Sequence, residues 1–189
     1  MSKLSLFVAM IAVAGCGGNG SGNSVSGNIG GGTLAVADAV SVPYVAGASS
    51  DGATAIVLSN SGGVCADFTA GQQPPNVQAL TFEVFRIDDS GHPAKPTAVG
   101  GYPIVRQQEG PAPSGNTAIA AFTTTDASCE ETRTLDAITG SITLERLDAT
   151  GYAGIFDLTF DSGDHVTGRF DAPTCAAPSQ ALTCRTAKK

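Results

Sequence analysis

The chain has 189 residues, the size of a single domain, and a net charge of −7 from 17 Asp and Glu against 10 Lys and Arg. With only Lys188-Lys189 as a basic run, it has no clustered Lys and Arg for a phosphate surface, which excludes a nucleic-acid partner. The 24 Gly, the 10 Pro and a charged fraction of only 14% suit turn-rich β structure.

Residues 1–15 read as a targeting segment. Lys3 precedes an apolar run from Leu4 to Ala14, well short of the ~20 residues that span a bilayer. The run ends in Val13-Ala14-Gly15-Cys16. This ending resembles the lipobox of bacterial lipoprotein precursors, with Val13 where Leu is commonest. The resemblance implies cleavage before Cys16 and acylation of that cysteine, so that the membrane partner is held through a covalent lipid on Cys16. Each buried acyl CH₂ contributes about 0.8 kcal/mol, so two or three chains anchor a protein that does not span. Gly17, in place of an Asp, implies by the same family analogy export to the outer membrane of a Gram-negative cell envelope. Loss of Lys3 with residues 1–15 takes the mature net charge to −8, so the lipid rather than charge does the holding.

Residues 16–32 are then the lipidated cysteine and a Gly/Ser/Asn linker, and residues 33–189 a single β domain. As a random coil the stretch from Gly17 to Gly32 reaches roughly 20–24 Å. Gly15, Gly17 and Gly20 fit G-x-G-x-x-G, yet no strand precedes them and no helix follows, so the dinucleotide reading fails.

Further along, residues 39–44 read as a strand with Val40, Val42 and Tyr44 on one face, and Pro43 marks it as an edge. Residues 53–60, with Ala55-Ile56-Val57-Leu58, fit a central strand. Residues 78–88 form the longest early strand, followed by the turn Asp88-Asp89-Ser90-Gly91; residues 102–107 and 116–125 complete the set. No helical period of ten or more residues is evident.

The clearest pattern lies in 138–171. Apolar residues fall on even numbers (Ile138, Ile142, Leu144, Tyr152, Phe156, Leu158, Phe160, Val166, Phe170) and polar ones mostly on odd numbers, the period of half-buried antiparallel strands. Two three-residue turns ending in glycine, Ala149-Thr150-Gly151 and Asp161-Ser162-Gly163, keep the even face on one side. They set Asp148 opposite Tyr152 and Phe160 opposite Asp164. Three glycine–aromatic pairs follow: Gly140 with Phe160, Gly168 with Phe156, and Gly154 with Phe170. Gly154-Ile155-Phe156, Gly168-Arg169-Phe170 and Ala172-Pro173-Thr174-Cys175 resemble the carboxyl ends of β-rich bacterial lipoproteins, a likeness that brings no activity with it.

With Cys16 lipidated, Cys65, Cys129, Cys175 and Cys184 remain, and in an exported protein they read as two disulfides. Spacing favours the local pair Cys175–Cys184 with Cys65–Cys129. The number of strands between them argues instead for joining Cys65 to Cys175.

Signs of chemistry are few. His92 sits in a turn and His165 on a wet strand face, and no G-x-S-x-G is present, so no catalytic residue is assigned. Asp157, Asp161, Asp164 and Asp171 cluster around the last hairpin and could offer oxygens to Ca²⁺, but Asp is a preferred turn residue and the calcium-loop motif is missing. Neither metal nor cofactor is assigned. Lipocalins require a G-x-W signature that a chain without Trp lacks.

The expected fold is all-β, an antiparallel sandwich or flattened barrel of about eight strands closing with the meander 138–171. The leading functional expectation is an envelope lipoprotein acting as a non-catalytic structural or protein-interaction module. The alternatives are a barrel holding a small hydrophobic ligand, which requires an interior cavity of ~300 Å³ or more, and an envelope hydrolase.

Overall fold

A computed structural model describes residues 22–44, 53–106, 114–176 and 182–185. The expected targeting segment, Cys16 and the first part of the expected linker lie outside the described residues. The chain runs through β1 (Ser24–Gly27), β2 (Asp38–Tyr44), β3 (Ala53–Ser59), a short helix α1 (Val64–Thr69) and β4 (Gln72–Gln73). There follow β5 (Gln78–Ile87), β6 (Pro93–Ala94), β7 (Gly100–Pro103), β8 (Gly115–Thr125), the long β9 (Glu131–Asp148), β10 (Gly151–Phe160), β11 (His165–Pro173) and β12 (Thr183–Cys184).

One antiparallel sheet holds most of them, in the order β1-β11-β10-β9-β8-β5-β3-β2, with β6 on β5 and β7 on β9. The sheet curls because β9 serves both halves: its first part pairs with β8, and its second part with β10 and β7. At the far side the Cys175 amide donates to the Ser41 carbonyl at 2.7 Å, bringing the β2 edge against the end of β11. The result is the all-β architecture expected, a curled antiparallel sheet that forms a half-barrel. Pro43 falls on β2, at the end of the strand order, and the apolar run 55–58 lies in β3, buried along its whole length between β2 and β5.

Side chains fill the interior. Leu80, Phe82 and Val84 of β5 meet Ile142, Leu144, Phe156, Leu158, Phe160, Val166 and Phe170 from the closing strands, all at most 4% exposed. Tyr102 is buried with them and its hydroxyl donates to the Ala98 carbonyl at 2.7 Å, so the ring is inside and its polar tip is satisfied. A second, smaller cluster lies on the outer side of β2 and β3, where Val40 and Val57 are covered by Val64, Cys175 and the half-buried Phe68. This is why β3 is apolar on both faces.

The meander departs from the expected register in an instructive way. Its second turn matches: the Phe160 amide donates to the Asp164 carbonyl, and Gly163 takes φ +85°. In the first turn, Gly151 rather than Tyr152 faces Asp148, so the loop is one residue shorter than expected and the faces would invert. A bulge at Glu145 restores them, since Ala153 faces Arg146 but Gly154 faces Leu144. The even face therefore points inward from Gly140 to Leu144, with the pairing slipped by two residues. Gly168–Phe156 and Gly154–Phe170 form as expected, whereas Gly140 faces Leu158 and Phe160 faces Ala137. A further bulge at Ile138 turns β9 over, so that Ala137 and Leu135 point inward instead of Ile138.

The linker expectation also needs correction from residue 22 onward. Ser24–Gly27 pair with Arg169–Val166 of β11, and Ile29 and Leu34 are buried at 2% and 3% exposure. Backbone hydrogen bonds to an open strand edge hold β1, and the isolated apolar residues Val25 and Ile29 pack onto the core. α1 is a second unforeseen element; at six residues it is too short to show a period, and the Asp38 carboxylate caps it by accepting from the Val64 amide at 2.9 Å.

Candidate functional site

The cysteines come together in pairs that local spacing does not suggest. Cys65 bonds Cys175 and Cys129 bonds Cys184, with Cα separations of 5.6 and 5.5 Å, so the expected Cys175–Cys184 and Cys65–Cys129 pairs do not form. The cause is the rolled sheet, which lays the residue after β11 against β2, directly beneath α1 and Cys65. Cys184 is carried elsewhere because β12 pairs in parallel with β4, near Cys129. There the Arg185 guanidinium donates to Asp67 Oδ1 at 2.9 Å, placing its charge beside a carboxylate only 6% exposed.

The aspartates around the last hairpin do not converge; each has a different partner. Asp157 meets His165 Nε2 at 2.9 Å, and Asp171 binds Arg146 through two contacts of 2.7 and 3.3 Å. Asp164 accepts from the Gly30 amide and the Ser162 hydroxyl, while Asp161 is tied through its own amide to the Asp136 carbonyl. No group of three or more His, Cys, Asp or Glu side chains able to hold a metal occurs among the described residues. The Asp157 and His165 side chains are 65% and 55% exposed, so water competes for both and the pair contributes little. His92 lies in its turn, 3.9 Å from Asp88, with its side chain 75% exposed.

Backbone and hydroxyl donors hold several turn carboxylates below the usual carboxylate range. For Asp164 the Gly30 amide is the largest cause, for Asp148 the Thr150 hydroxyl, for Asp126 the Ser128 hydroxyl, and for Asp88 the His92 amide. These are structural roles that fix four turns in place.

A trough of about 540 Å³ lies on the outer side of the sheet, where β8 and β9 splay apart and the strip after β7 fills the gap. Its floor is half-buried and apolar, from Val105, Ile119, Ala121 and Ile138. Glu83, Arg106, Asp136 and Asp161 supply its charges. Ile138 lies here because of the bulge that turns it out of the core. Nothing in the local sequence marks this site, since its walls come from five separate segments. Such a mixture of apolar floor and charged rim can bind a partner's side chains or a small amphipathic molecule. No family model, curated protein or solved structure matches the chain.

Proposed function

We propose that this protein is a lipid-anchored cell-envelope lipoprotein whose β domain is a non-catalytic structural or protein-interaction module. The observation that carries the reading is the use of the cysteines. Cys65, Cys129, Cys175 and Cys184 are consumed in two disulfides, which suit an oxidising compartment. That leaves Cys16 as the odd cysteine, directly behind Val13-Ala14-Gly15.

The filled interior favours an interaction module over a barrel with an enclosed ligand, and the outer trough is the surface on which a partner would act. Labelled fatty acid and membrane fractionation test the anchor: wild-type protein is expected to incorporate label and sediment with membranes, and Cys16→Ser to do neither. Label-free, soluble wild-type protein would overturn it. Photo-crosslinking in intact cells from Ile119, compared with Ile155 on another outer face, tests the module. A partner captured from Ile119 alone is the expected result; equal capture from both positions would remove the trough's role.

A further inference from the structure

The docking of the amino-terminal strand fixes which way the barrel stands. We infer that the barrel end carrying the Asp148–Gly151 turn faces the lipid headgroups, and that the end carrying Asp161–Gly163 points away from the membrane. This inference rests on the lipid-anchored reading above.

Asn23 is the seventh residue after Cys16, and its side-chain oxygen accepts from the Asp171 amide at 2.5 Å. From there β1 runs along β11, from Ser24 beside Arg169 to Gly27 beside Val166, and Ile29 enters the core. The chain is thus fixed to the barrel from Asn23 onward, at the Asp171 end. That end also holds the first turn of the meander, because Gly151 pairs with Pro173, two positions past Asp171.

Seven residues lead from Cys16 to Asn23; a coil of that length spans roughly 13–16 Å, and a fully drawn-out chain about 25 Å. The strand from Gly163 to Asp171 rises ~26 Å along its own direction, or about 20 Å of barrel height at the usual strand tilt. With the Asp171 end down, a relaxed chain of seven residues is long enough. Inverting the barrel would require the tether to run its full height close to complete extension, losing backbone freedom at nearly every residue. A chain of net charge −8 in its mature form has no attraction to anionic headgroups to offset that loss.

The test uses full-length, lipidated protein in phosphatidylcholine vesicles whose headgroups carry an energy acceptor. A donor fluorophore is placed at Ala149→Cys or Ser162→Cys, both exposed turn positions, with Ala127→Cys as a second distal site should Ser162→Cys misfold. Transfer is expected to be strong from Ala149 and weak from Ser162 and Ala127. A long Gly/Ser insertion after Gly20 should erase the difference. Equal transfer from both ends, or stronger transfer from Ser162, in protein without the insertion would overturn the stance. Vesicle flotation and the mass of the amino-terminal peptide are read first. An unmodified Cys16 in protein that does not float would sink the lipid reading and the stance with it. Modified, floating protein with reversed transfer sinks the stance alone.

Discussion

Phe82 of β5 meets Phe156 of β10 across the barrel, with ring centroids 5.0 Å apart and planes tilted by 51°. Phe170 of β11 lies 5.6 Å from the same ring. Phe82 is therefore one of the points at which the early strands and the closing meander touch. Phe82→Ala should destabilise the domain by about 3–5 kcal/mol, through lost transfer energy and the cavity left behind. In a double-mutant cycle with Phe156→Leu, a coupling of roughly 0.5–1.5 kcal/mol is expected. Denaturant unfolding measures both, and additive effects would show that the ring contact carries no energy of its own.

Replacing Cys65 and Cys175 together by Ala should lower stability by about 2–5 kcal/mol, and replacing Cys129 and Cys184 by a similar amount from chain entropy alone. The loops they close, 110 and 55 residues apart, differ by only ~0.6 kcal/mol in that model. The first pair should nevertheless have the larger effect, because Cys175 is 1% exposed and packs with Val40, Val57 and Val64 beneath α1. Thermal melts of the two double variants decide the order.

Gly168→Ala probes the close approach of β1. A Cβ at this position would lie 2.1 Å from the Ser24 carbonyl oxygen and 2.4 Å from the Phe156 ring. Either the β1–β11 pairing opens or the ring moves, at a cost of about 1–3 kcal/mol. Hydrogen exchange at Ser24 to Gly27 should accelerate in this variant; unchanged protection there would contradict the packing described.

Acid should weaken the fold through its turns. Asp164, Asp148, Asp126 and Asp88 all titrate below their ordinary value in the folded chain. Their contribution is therefore present above the unfolded carboxylate range near pH ~4 and is lost as pH falls through the lower folded values. Melting temperature should be nearly flat around neutrality and drop below about pH 4. In Asp164→Asn the drop should be shallower. A melting temperature that rises on acidification would refute the assignment.

Removal of residues 1–32 should do more than shorten a tether. It takes away β1 and Ile29, whose burial alone contributes roughly 1.5–3 kcal/mol, and it strips the Gly30 amide from Asp164. A protein beginning at residue 22 should melt well above one beginning at residue 33.

The parts of this fold legible in the sequence are those where side-chain period and burial agree: the apolar run of β3, the alternation of β5, and the even face of 138–171. Even there the even face points inward on β9 only from Gly140 to Leu144, because a shortened turn and the bulge at Glu145 cancel, and Ile138 turns outward. Bulges depend on how one strand bends against another and leave no mark in the alternation. β1 was hidden because a strand held by its neighbour's edge needs no apolar pattern. Of the cysteine pairing, the number of intervening strands pointed to Cys65–Cys175, which forms, while spacing along the chain pointed to pairs that do not; the trough at Glu83, Ile119, Asp136 and Asp161 is a product of long-range closure that spacing could not reveal.

Because β9 lends one stretch to β8 and another to β10 and β7, it ties the two halves of the sheet into one unit. Any fluctuation that frees Thr134 from Thr123 also strains the ladder further along the same strand. Melting should then follow a single all-or-none step, and a protease should find no nicked half that survives by itself.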